Sequence, residues 1–133
     1  MKKVWYWITI ISSLFFTSFS TVHLIDDFLN DIPAEFNLSV PFTEFLTFLF
    51  IFSLVGLIIG AVQKSPTSFL GLSIAGLLVT AAQFTKSIPE ILQPGPWRSG
   101  QSSVFSVIGL TFSSTILIIS AFISWRFFKT TKV

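Results

Sequence analysis

The chain carries a single histidine, His23, with two carboxylates close behind it, Asp26 and Asp27. On a helix, His23 and Asp27 stand four residues apart and share a face, and Asp31 extends the row by one turn. An imidazole beside carboxylates can serve as a general base or bind a divalent metal. His23, Asp26 and Asp27 are therefore the candidate catalytic residues, and His23, Asp27 and Glu90 the candidate metal ligands. A simpler account competes with both. A membrane helix shows polar residues of these types where it leaves the bilayer for water, and the acids then mark that boundary. One histidine cannot supply the paired axial ligands of a b-type haem. With no cysteine, thiolate metal sites and cysteine nucleophiles are excluded. No cofactor is expected.

A second candidate lies in Gln93-Pro94-Gly95-Pro96-Trp97-Arg98-Ser99-Gly100. Trp97 and Arg98 can present an aromatic ring and a phosphate-pairing guanidinium to a lipid headgroup or a partner. Trp97 is equally an ordinary interfacial anchor, and Arg98 an ion-pair partner for Glu90. Small residues form a third group. Gly56 and Gly60 make a GxxxG, Gly71, Ala75 and Gly76 line the third run, and Ser113, Ser114, Ser120 and Ser124 punctuate the fourth. Such residues let membrane helices approach closely. Thr9, Ser12, Ser13, Thr17 and Ser20 form a polar stripe that leads toward His23, and Thr80, Gln83 and Thr85 lie near the same end of a later segment. They can line a shallow pocket or bond the helix backbone.

The elements that must carry these residues follow from composition. The chain has 133 residues, 52% hydrophobic and 11% charged, with a mean hydropathy of +0.82. A soluble domain is about 25% charged, and so short a chain cannot hide this much apolar surface in one core. A membrane span needs about 20 apolar residues. Four runs qualify, over residues 4–24, 45–62, 66–84 and 104–125, none with an internal Asp, Glu, Lys or Arg. Residues 25–44 and 86–103 are read as the longer loops, the second rich in proline and glycine. The fold expected is an all-α, four-helix transmembrane bundle of up-down-up-down topology, in a single domain.

Charge sets the expected orientation. Lys2, Lys3, Lys64, Arg126, Lys129 and Lys132 fall on one side of such a bundle, leaving two of the eight basic residues, Lys86 and Arg98, on the other. The positive-inside rule assigns the first side, with both chain ends, to the cytoplasm. All six acids fall opposite. Lys2-Lys3, an apolar stretch and Ser18 and Ser20 resemble a secretory signal, but the apolar run exceeds the usual 7–15 residues. The first span is therefore expected to be retained.

Missing motifs narrow the function. No Asp or Glu sits inside any of the four runs, and the lack of an embedded carboxylate disfavours proton-coupled export. No phosphate-cradling glycine loop is present, and the basic residues form no nucleic-acid patch. The expected protein is a non-enzymatic accessory, assembly or regulatory subunit in the plasma membrane. It would contact lipids and either a membrane-protein partner or further copies of itself. Two alternatives stand: a binding protein or enzyme for a lipid or small amphiphile using His23, Asp26 and Asp27, and an oligomeric channel or facilitator.

Overall fold

The computed structural model describes residues 1–29, 39–92 and 101–130. It is helical, and four of its helices are long and apolar enough to cross a membrane. These are α1 (Lys2–Leu29), α2 (Val40–Val62), α3 (Pro66–Ala82) and α5 (Gln101–Thr130). A π-helical turn (Gln83–Ser87) and a short helix α4 (Ile88–Leu92) continue α3.

The helices outrun the apolar runs because caps and backbone bonds, not hydropathy, set their ends. α1 passes through Asp26 and Asp27 to Leu29. α2 starts at Val40 rather than near Phe45, because Ser39 caps it. The Phe42 N–H donates to Ser39 Oγ at 3.3 Å, and Pro41 occupies the first turn, where a missing N–H costs little. Glu44 therefore lies within α2 and is exposed. At the other end of α2 the Lys64 N–H donates to Ala61 O and the Ser65 N–H to Gly60 O, both at 2.9 Å. Pro66 then opens α3. The segment expected to turn from residue 86 instead stays helical to Leu92. Its proline, Pro89, falls at the start of a new helix, where it removes no needed bond.

α5 is the central element, packed along α1 on one side and α3 on the other, while α2 rests on α3 and more lightly on α1. The bonded pairs Thr9–Ser124 and Ser12–Ser120 show α1 and α5 running in opposite senses. The pairs Ser73–Ile118 and Thr80–Ser114 show the same for α3 and α5. Tyr6, near the start of α1, donates its hydroxyl to Val62 O at 3.0 Å and packs against Phe69 and Phe128. One end of the bundle thus gathers the starts of α1 and α3 and the finishes of α2 and α5.

The interior differs from a soluble core. Phe16, Leu54, Phe69, Leu72, Leu110 and Leu117 are buried, but so are Thr9, Ser12, Ser13, Ser114, Ser120 and Ser124. The large apolar side chains Phe15, Phe45, Phe48, Phe52, Leu78 and Phe112 face outward. Lipid is as apolar as leucine, so it provides no hydrophobic drive between helices. Close packing and hydrogen bonds hold them together instead. Small hydroxyl side chains meet both demands, and each can also bond its own helix backbone, as Ser13 does to Ile10 O and Thr17 to Ser13 O.

Candidate functional site

The polar stripe of α1 turns inward and becomes a seam against α5. Thr9 Oγ1 lies 2.9 Å from Ser124 Oγ and Ser12 Oγ lies 3.4 Å from Ser120 Oγ. Across α5 the seam continues to α3, where the Ser73 hydroxyl donates to Ile118 O at 3.1 Å and Thr80 to Ser114 Oγ at 2.7 Å. These hydroxyls are engaged in helix-to-helix bonds. Thr85, expected beside them, is exposed and bonds Ala81 O within its own segment.

The seam changes character toward the far end. Ser20, His23, Gln83 and Ser106 are all buried. Among the described residues, Ser20 Oγ and Gln83 Oε1 have no hydrogen-bond partner. A buried acceptor left without a donor costs about 1–3 kcal/mol. The two groups come from different elements at one level of the bundle. Phe19, beside Ser20, packs against Phe105 and would meet any Cβ added at Gly109. Gln83 lies about one turn beyond Thr80, whose partner is Ser114. Gln83 also begins the π-helical turn, where the Ile88 N–H reaches back five residues to Gln83 O. Such turns widen a helix locally and recur at functional sites. Thr80 and Gln83 are legible in the sequence as polar residues near this end. The π turn carries no glycine or proline to announce it.

His23 is buried two residues short of the end of the first span, and α1 continues beyond it. The helical backbone keeps His23 and Asp27 four residues apart on one face, but the side chains of Asp26, Asp27 and Glu90 lie outside the described residues. Trp97 and Arg98 lie outside them altogether. Among the described residues no three His, Asp or Glu side chains come together to hold a metal.

The four glycines do different work. An added Cβ at Gly76 would lie 3.0 Å from Ile118 Cγ1 and 3.2 Å from Ser114 O, so α3 needs glycine there to approach α5. Gly71 would meet Leu57 at 2.6 Å, and Gly60 would meet Ser68. Among the described residues, Gly56 would meet nothing within 4 Å. Its neighbours Phe52, Val55 and Ile59 are exposed as well.

No protein family matches this chain, and no curated protein or solved structure matches it either.

Proposed function

We propose that this chain is a non-enzymatic plasma-membrane protein, with both ends in the cytoplasm, that serves as an accessory, assembly or regulatory subunit of a membrane-protein partner. The observation that carries this reading is Gly56. Packing within the bundle accounts for Gly60, Gly71 and Gly76 but not for Gly56, which opens a small-residue notch onto the outward face of the most peripheral span. A second helix can approach closely at such a notch. The bonded hydroxyls of the seam support the same reading, since they are committed to holding helices together. The cytoplasmic assignment rests on Lys2, Lys3, Lys64, Arg126 and Lys129, which belong to the end where α1 and α3 begin.

Purification from native membranes should recover a stoichiometric membrane-protein companion. Gly56→Ile should release it while leaving this chain folded. Recovery of the unmodified chain alone would refute the subunit reading. Orientation has its own check, because the chain lacks cysteine. Gln63→Cys should react with an impermeant thiol reagent only from the cytoplasmic side, and Ser99→Cys only from outside. The reverse pattern would overturn the assignment.

The unpartnered Ser20 Oγ and Gln83 Oε1 favour a second reading, in which the polar end beside His23 binds a lipid or other small amphiphile. Under it, a lone chain would retain a defined small molecule and lose it on substitution of Gln83.

A further inference from the structure

The end of the bundle opposite His23 holds a cavity of about 1120 Å³, lined by Lys2, Lys3 and Lys64 with Tyr6, Trp7 and Gln63 among them. Phe128 forms part of its wall. Lys2 Nζ lies 4.5 Å from the centre of the Phe128 ring, and Lys64 Nζ 5.8 Å from that of Tyr6. A ring face holds an ammonium group without cancelling its charge. No Asp or Glu occurs in residues 1–12, 53–76 or 116–130, the helix segments nearest this end. α1 and α3 begin here while α2 and α5 finish here, so their dipoles offset one another and the lysines set the field.

Lys64 provides an independent observation. Its φ is 63°, in the left-handed region. The bonds from Lys64 N to Ala61 O and from Ser65 N to Gly60 O make this the Schellman closure of α2, whose left-handed position is usually glycine. Any other side chain there costs about 1 kcal/mol. The chain accepts that strain and places an ammonium group on the cavity.

We infer that this cavity binds the phosphate headgroup of an anionic phospholipid. Three ammonium groups can surround a negatively charged phosphodiester and donate hydrogen bonds to the hydroxyls of its headgroup. The volume accommodates a headgroup and its glycerol. Trp7 is exposed beside the cavity, and Val4 opens outward one turn away. Acyl chains can therefore run down the apolar outside of α1 while the headgroup stays at interfacial depth.

The test uses the full chain reconstituted in vesicles of equal phosphatidylglycerol and phosphatidylcholine. It is then extracted in mild detergent, and the retained lipid is read by native mass spectrometry. Phosphatidylglycerol should be retained at least about tenfold over phosphatidylcholine. A basic residue near a membrane surface contributes about 1 kcal/mol, so Lys64→Gly should weaken retention about fivefold. Because glycine suits the turn, its thermal midpoint should hold or rise. Lys3→Gln, at an exposed position, should give a similar loss. Equal retention of the two lipids, or unchanged retention in both variants, would overturn the proposal. Displacement of the lipid by millimolar inorganic phosphate would also overturn it, because the ligand would then be a soluble anion.

Discussion

Gly76→Ile should destabilise the bundle by about 2–3 kcal/mol, whereas Gly56→Ile should leave its stability unchanged or slightly raised. The two glycines sit on apolar helices and look alike in sequence. Isoleucine forms helix better than glycine, by about 0.5 kcal/mol in either place. What separates them is the neighbour. At Gly76 the added carbon meets Ser114 O at 3.2 Å, and that is backbone, which cannot rotate away. Overpacking of this kind costs about 1–3 kcal/mol. The wedge also stands between two interhelical bonds, Ser73 to Ile118 O and Thr80 to Ser114. Prising α3 from α5 weakens both, at about 0.6 kcal/mol each. The local term outweighs the gain in helix propensity several times over. At Gly56 there is no local term within 4 Å. Gly109 falls between them. Its added carbon would meet the Phe19 ring, the far end of a side chain that is only partly buried and has room to swing. Unfolding of the purified variants in mixed detergent micelles would measure all three. Equal stability of Gly76→Ile and Gly56→Ile would mean that α3 and α5 do not meet at Gly76.

The contrast between Gly56 and Gly60 also marks how far residue types alone disclose the fold. Four spans are legible because insertion depends on summed hydropathy, which a run of about twenty apolar residues states directly. The GxxxG is legible as a pair of small residues. Which of them meets another helix depends on the rotation of α2 about its own axis. That rotation is set by contacts such as Leu57 on Gly71, far away in sequence. The seam is half legible in the same sense. Thr9, Ser12 and Ser13 announce a polar stripe, but their partners Ser124 and Ser120 are found only when α1 and α5 are laid in opposite senses. Helix ends are the least legible. α2 begins at Ser39 through one side-chain bond, and the π turn at Gln83 arises from a five-residue backbone bond that no residue type signals. In the sequence, the three lysines of the basic cavity speak to orientation alone. Lys2, Lys3 and Lys64 come from separate stretches, and only the meeting of Tyr6, Val62 and Phe128 draws them around one space.

Gln83→Leu should stabilise the folded chain by about 1–2 kcal/mol, an unusual direction for a change at a buried polar residue. Gln83 is only 4% exposed, and among the described residues its Oε1 has no hydrogen-bond partner. An unsatisfied buried acceptor carries a penalty of about 1–3 kcal/mol. Leucine has nearly the same volume, removes the acceptor and leaves the backbone bond from Ile88 to Gln83 O in place. The amide nitrogen sets the upper limit, since any bond it makes is lost with the side chain. Ser20→Ala tests the same logic from α1, with a smaller gain because it also leaves a small void. Proteins keep costly buried groups chiefly where a function needs them. The activity readout therefore separates the two functional readings. If the chain is a subunit acting through Gly56, Gln83→Leu should be more stable and bind its companion as before. If the polar end beside His23 holds a small amphiphile, the same variant should be more stable when purified but lose that molecule. A loss of stability beyond about 1 kcal/mol would overturn the stability prediction, and would mean that Gln83 is part of the structural seam with its amide fully engaged.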